Sequence, residues 1–344
     1  MSKPASLAAV AERAGVSIAT VSRVINGVAN KASPATRTRV EEAVAALGYR
    51  PAGAGQALRQ GRSRLVAVLA PNLANPSMAA IAASIEAVLR PAGLVMVLCD
   101  TSDDAATQDA TLREMRAHQV RAIVLLGSVA SPLLAAMQQD GTPLLFVNRS
   151  SPHPGAFSFI GIDNHAAGRD IASFFLEAGI GLAGVIHGSR ASSATAERLA
   201  GFRERLDEAG VAVPRFVTDP KLPHLDLGYQ GAGRLLSDRP RERCGVFCAS
   251  DLIAYGAHRW LRENWTGCPD PVTLMGFDDN PMNDWIAPWL SSVRVPFQDF
   301  GSAILEALES IWDGGPPRHT LLPYHIVRRS SHKYILCPPF TCTT

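Results

Sequence analysis

The sequence predicts an all-α headpiece containing a helix-turn-helix, followed by an α/β core of two parallel sheets covered by helices. Three observations carry this. Residues 1–63 hold nine basic and three acidic side chains, a charge of +6, whereas the remaining 281 residues carry 24 basic and 28 acidic groups, or −4. Over the first fifty positions, apolar residues recur at helical spacing between hydroxyl caps and glycines. From Leu65 onward, apolar runs of five to eight residues alternate with helical stretches, the pattern of parallel strands buried on both faces. At 344 residues and 47% apolar composition, the chain has material for two or three domains and is not globally disordered.

The first helix is read over 6–14, where Leu7, Val10, Ala11 and Ala14 share a face, with Ser6 as N-cap and Gly15 as stop. Ser17 then caps a second helix, SIATVSRVIN, whose inward face is Val21, Val24 and Ile25. Two short helices joined by a Gly-containing turn make a helix-turn-helix. The outward face of the second helix is Ser17, Ile18, Ala19, Thr20, Ser22 and Arg23. Hydroxyls near a helix start suit phosphate contacts, and an arginine suits a guanine edge. A third helix begins at Ser33 and Pro34, carries Val40, Val44 and Leu47, and stops at Gly48.

Residues 51–63, PAGAGQALRQGRS, read as a basic, Gly- and Ala-rich linker with one large apolar side chain, Leu58. Beyond it the expected strands are 65–70, 94–99, 122–127, 143–148, 159–163, 183–188, 245–250 and 272–277. Helical stretches lie between most of them, around 77–91, 104–118, 131–139, 164–178, 196–209, 227–237, 251–264 and 298–313. The turn-rich segment 149–158 interrupts the alternation, which favours two sheets of about four strands over one of eight. Ligands of open α/β sheets bind beyond the carboxyl ends of strands. Asn75, Ser77, Asn148, Ser250 and Asp278 follow such ends, and hydroxyls, amides and carboxylates suit the vicinal hydroxyls of a sugar or polyol.

The string from Leu7 to Pro51, with its AGVSIATVSRVIN core and VAALGYRP ending, resembles the headpiece of the LacI/GalR (lactose-repressor) family, and the resemblance runs to about residue 332. It implies a two-lobed core with the architecture of periplasmic binding proteins, crossed three times near 161–163, 292–295 and 319–322. The implied division is a headpiece at 1–50, a hinge helix at 51–63, a core at 64–334 and a tail at 335–344. Within the core, one lobe is 64–161 with 295–319 and the other 162–293 with 321–334. By the same resemblance, SSATAERLAGF is an effector-contact segment that supplies Arg198, and MGFDDNP supplies Asp278. ASDLIAYGA places Ser250 where asparagine is common, PLLFVNR places Asn148 where aspartate is common, and Ala194 stands where a hydroxyl is frequent. Leu58 corresponds to the hinge leucine that wedges into a central DNA step. Gly53 and Gly55 make that hinge harder to fold than usual, at about 1 kcal/mol each relative to alanine.

The expected function is an effector-gated transcriptional repressor, binding double-stranded operator DNA as a homodimer and a sugar-like small molecule between its lobes; the alternative is a transport-type solute-binding protein without a DNA role. The tail, KYILCPPFTCTT, lacks the heptads of a tetramerising coil, so a dimer is expected. No cofactor or metal is expected: Cys244 and Cys248 lack a second ligand pair at zinc spacing. Nucleotide-loop, nucleophile-elbow and metalloprotease motifs are missing, and no nucleophile–base pair can be named. No apolar run reaches the roughly 18 residues that span a membrane, and Glu12 and Arg13 interrupt the N-terminal apolar stretch. A cytoplasmic protein with reduced thiols and no membrane contact is expected.

Overall fold

The computed structural model describes residues 6–25, 32–49, 63–219, 221–237, 244–264 and 272–329. The chain divides into two compact units, Met1–Arg64 and Leu65–Thr344. Leu58 and nearly all of the expected hinge lie outside the described residues, as does the tail.

The first unit has three helices, α1 (Leu7–Ala14), α2 (Ile18–Ile25) and α3 (Pro34–Leu47). Ser6 and Ser33 accept the amide protons of Ala9 and Thr36, replacing partners that a helix start lacks. Gly15 turns left-handed at φ 64°, and its amide closes the first helix on Ala11 and Glu12. Val10, Ala11, Ala14, Val21, Val40 and Ala43 are buried together. The apolar spacing of the sequence thus becomes one small core holding α2 with its polar face outward.

The second unit contains β1 (Leu65–Ala70), α4 (Pro76–Leu89), β2 (Val95–Asp100), α5 (Ala105–Ala117), β3 (Ala122–Leu125), α6 (Pro132–Gln139), β4 (Leu144–Val147) and β5 (Ser158–Gly161). It continues with α7 (Asn164–Glu177), β6 (Gly181–Ile186), α8 (Ser193–Glu208), β7 (Arg215–Val217), α9 (His224–Leu236), β8 (Cys244–Cys248), α10 (Asp251–Asn264) and β9 (Thr273–Met275). Last come α11 (Asn283–Ile286), β10 (Ser292–Arg294), α12 (Phe300–Trp312), β11 (His319–Leu321) and β12 (His325–Val327).

Two parallel sheets form, as the alternation predicts. One has six strands in the order β11-β5-β4-β3-β1-β2, and the other four in the order β7-β6-β8-β9. The short strands β7, β10, β11 and β12 are too brief to be read from periodicity. β11 joins β5 through His319↔Phe159 and Leu321↔Gly161, so the chain leaves the first sheet only after Leu321. β10 and β12 form an antiparallel pair, and bridges Met275↔Ser291 and Asp278↔Arg294 set β10 beside β9. A clamp holds this junction: Asp279 accepts from Arg294 at 2.7 Å and from Arg329, whose guanidinium also reaches Asp284.

Helices of the second lobe cross in glycine-mediated pairs. A Cβ at Gly168 on α7 would stand 2.1 Å from the Arg198 carbonyl oxygen on α8, and one at Gly201 would stand 2.0 Å from that of His165. The pair α9 and α10 repeats the device: a Cβ at Gly228 would meet the Ile253 carbonyl at 2.0 Å, and one at Gly256 the Leu225 carbonyl at 1.9 Å. Without side chains at these points the backbones touch, and α8 and α10 are held close beneath the loops that they share with β6 and β8.

Candidate functional site

In the headpiece, the sequence-named residues are those of α2 and its cap that are not buried in the small core. The Ser17 hydroxyl accepts the Thr20 amide at 3.2 Å and shares a hydrogen bond with the Thr20 hydroxyl at 2.9 Å. Ile18 is 51% exposed, a large apolar side chain at a helix start. Ala19 and Arg23 are exposed, whereas Thr20 and Ser22 are half-buried. This face offers a hydroxyl pair, an apolar tip for a thymine methyl and a guanidinium for a guanine edge.

In the second unit a cavity of about 420 Å³ opens at the carboxyl ends of both sheets. Five of the six effector residues named from sequence line it: Asn75, Asn148, Arg198, Ser250 and Asp278. Ser77 does not; it is buried just behind, and its hydroxyl, from the opposite lobe, helps to hold the Asp278 pKa down. The Ser150 amide also crosses the cleft, donating to the Ser193 hydroxyl at 2.9 Å. Asn75 doubles as the α4 cap, its side-chain oxygen accepting the Ser77 amide at 3.0 Å.

Arg198 is buried, and its placement is over-determined. Nε donates to Asn164 at 2.7 Å, Nη1 donates to the Ala249 carbonyl at 3.1 Å, and the guanidinium lies 3.3 Å from the Phe277 ring centre. Burial pulls its pKa down to about 10, against the pull of Asp278, so it stays charged at neutral pH. Burial pushes Asp278 up to about 6, opposed by Arg198 and the Ser77 hydroxyl. Asp278 sits at φ 109°, a conformation that side chains avoid, and Asn148 at φ 65°. Backbone bonds from the Asp278 amide to the Val293 carbonyl at 3.0 Å, and from the Val295 amide to its own carbonyl at 3.2 Å, hold the strained residue.

Beneath this pair lies Asp251, buried and pushed up to about 7 by burial and then by Asp278. It accepts from the Ser292 hydroxyl at 2.6 Å, the Asn280 amide at 2.7 Å and Asn283 Nδ2 at 2.8 Å. Its carboxylate thus joins the start of α10 to the loop that carries Asp278 and to β10.

Sequence reasoning missed several lining residues. Lys221 and His224 come from the β7–α9 segment, which had no strand-end signal, and Asp103 from the loop after β2. Arg149 also lines the cavity and pairs with Asp103. The structure also brings together a hydroxyl and an imidazole that sequence could not pair: Ser250 Oγ and His224 Nδ1 stand 3.1 Å apart.

A helix-turn-helix unit with an open polar face, joined to a two-sheet cleft lined by hydrogen-bonding side chains, defines a ligand-responsive DNA-binding regulator. Comparison with known proteins agrees. Residues 6–52 match the model of bacterial regulatory proteins of the lacI family, and residues 172–332 match the periplasmic binding protein-like domain. The chain is 31% identical to the HTH-type transcriptional regulator GntR of Pseudomonas aeruginosa, over 91% of each chain. It is also 31% identical to the regulator MalR of Streptomyces coelicolor, over 94% of this chain and 96% of that one. Among solved structures it resembles a lac repressor dimer bound to operator and the anti-inducer ONPF, at 25% identity, with a TM-score of 0.80 over 96% of this chain and 99% of that one. A CelR–cellobiose complex matches at 28% identity, with a TM-score of 0.69 over 95% and 99%. The chain belongs to the LacI family and is a helix-turn-helix transcriptional regulator.

Proposed function

We propose that this regulator is a repressor whose operator affinity is set by a sugar-derived effector bound in the 420 Å³ cavity. The observation that carries the reading is the Arg198–Asp278 pair, fixed in place at the junction of two lobes and surrounded by amides and hydroxyls. A ligand touching both lobes can bias their relative orientation only through different contacts in the two arrangements. Asn75, Asn148, Arg198, Ser250 and Asp278 are its contacts, with Ser77 setting Asp278 from behind. Ile18, Ala19 and Arg23 read bases, while Ser17, Thr20 and Ser22 hold phosphates. The relatives solved with cellobiose and with ONPF support the effector class.

The repressor acts as a dimer in this reading. Met282, Trp285 and Ile286 around α11 are 52%, 86% and 56% exposed, an apolar surface that a second copy would cover. The cavity binds rather than converts. Ser250's hydroxyl is engaged as a helix cap on the Ile253 amide at 3.3 Å, and no carboxylate orients His224 through a hydrogen bond among the described residues. The setting is the cytoplasm, where operator DNA is; among the described residues no helix is long and apolar enough to cross a membrane.

The test is selection of genomic fragments by the purified protein, followed by footprinting of the tightest with and without candidate sugars. The expected result is a protected pseudo-palindrome with half-sites about 10 bp apart, released or tightened by one ligand that is recovered unchanged. Sequence-independent retention under every ligand refutes the reading.

A further inference from the structure

One corner of the cavity is built for charge. Lobe 1 brings Arg149 to it, and lobe 2 brings Lys221 and His224. The Ser250 hydroxyl, which accepts the Ile253 amide, stands 3.1 Å from His224 Nδ1. With the hydroxyl proton directed at Nδ1, the ring carries its own proton on Nε2. Nε2 has no partner among the described residues, and it faces Gly188, where a Cβ would come within 3.1 Å. Burial, and then the Arg149 charge, hold His224 below the usual histidine range, so at neutral pH it is an uncharged donor. Arg149 depresses Arg198 as well, so the two guanidinium groups repel one another.

Each acidic group nearby has a partner of its own. Asp278 faces Arg198, and Asp103 pairs with Arg149 within the same cavity. Asp100 accepts the amides of Leu73 at 2.8 Å and Ser102 at 2.7 Å, one on each oxygen. Lys221 makes no ion pair among the described residues.

We infer that the effector carries an anionic oxygen group, a carboxylate or a phosphate, seated between Lys221, Arg149 and the Nε2–H of His224. The ligand class is then an acidic polyol, a sugar acid or sugar phosphate, rather than a neutral sugar. Lys221 supplies attraction, the Arg149 guanidinium, which also holds Asp103, adds further donors, and the neutral imidazole supplies direction, the combination that binds oxyanions in a partly desolvated site. This inference rests on the effector reading above and narrows it.

The test uses the full-length protein with inorganic phosphate as probe and chloride at matched ionic strength as reference, followed by thermal unfolding and calorimetry. A second arm compares an aldose with its aldonate and its 6-phosphate. The expected result is saturable stabilisation by phosphate and at least fivefold weaker phosphate binding in Lys221→Gln and in His224→Gln. The charged member of each matched set should bind at least tenfold tighter than the neutral one. Because the basic headpiece also attracts phosphate, the two variants decide the location: binding that survives in both overturns the proposal. So does phosphate acting no differently from chloride, or an aldose binding as well as its acid. Phosphate binding is read without DNA, so a failure of operator control would refute the effector reading and leave this result standing. A neutral sugar that releases operator DNA would refute the anionic corner and leave the effector reading standing.

Discussion

Gly168→Ala tests the most exacting contact in the second lobe. The added methyl would stand 2.1 Å from the Arg198 carbonyl oxygen and 2.9 Å from the Phe202 amide nitrogen, whereas ordinary contact begins at 3.4 Å. Both are backbone atoms, so no rotamer change can relieve the clash, and α8 must back away from α7 by more than 1 Å. Helix propensity alone favours alanine over glycine by about 1 kcal/mol. Overpacking a close-fitted contact costs about 1–3 kcal/mol, and the backbone-on-backbone geometry puts this case at the upper end. The balance is a loss of roughly 2 kcal/mol, or about 3–4 °C in Tm for a core of this size. The same displacement stretches the 2.7 Å bond from Arg198 to Asn164, four residues before Gly168 on α7. A charge-assisted bond is worth about 1.5–3 kcal/mol, so effector affinity should fall tenfold or more. Urea and thermal unfolding, with ligand titration on the same samples, measure both effects. A Gly168→Ala protein as stable as the parent, or more so, refutes the reasoning, because propensity would then have outweighed the contact.

Four further outcomes are expected. Arg198→Gln should leave operator binding without effector unchanged and weaken the effector response at least tenfold, read by gel shift across a ligand titration. Arg23→Ala should cost about 1–3 kcal/mol in specific operator affinity and relax the base preference at one position of each half-site, measured by gel shift with operators substituted at single positions. Trp285→Glu should shift the protein from dimer toward monomer in sedimentation, since it puts a charge on the apolar surface of α11. The native state holds protons on Asp251 and Asp278 up to about 7 and 6, whereas the unfolded chain loses them near the ordinary carboxylate value of about 4. Stability contributed by these two groups is therefore present at low pH and lost as pH rises from about 4 to 7. His187, His224 and His258, all shifted below their usual range, act in the opposite sense below about 6.5, so the readout is a difference. Urea midpoints of the parent should fall relative to those of Asp251→Asn between pH 5 and 7.

Headpiece elements were readable because each is bounded by a residue with a local reason to be there. Ser6 and Ser33 cap, Gly15 and Gly48 turn left-handed, and Pro34 opens α3. The long strands were readable because burial on both faces leaves an unbroken apolar run. β2 is the exception in character: as an edge strand it exposes Val95 and Leu98, yet its composition matches that of the interior strands. Of the five three-residue strands only β9 was readable, because it sits in a longer apolar run, 272–277; in β7, β10, β11 and β12 three residues fix no period. In the cavity, loop residues directly after long strands could be named, as could Arg198 through its resemblance. His224 could not, because it opens a helix after a strand of three residues and gains its role from Ser250, 26 positions away in sequence. Asp251 looked like an ordinary helix start; its burial and its three donors come from segments 29 to 41 residues downstream.

The division of labour between paired helices and strand-end loops has an evolutionary corollary. Gly168, Gly201, Gly228 and Gly256 confine two helix crossings to backbone contact, so almost any side chain there would be rejected. The cavity-facing positions are held differently: Ser189 and Lys221 sit on loops, the one half-buried and the other exposed, where exchange disturbs less packing. Mutational drift is therefore channelled. Lineages carrying this scaffold can trade one effector for another through a few loop substitutions, while the machinery that senses occupancy is inherited unaltered.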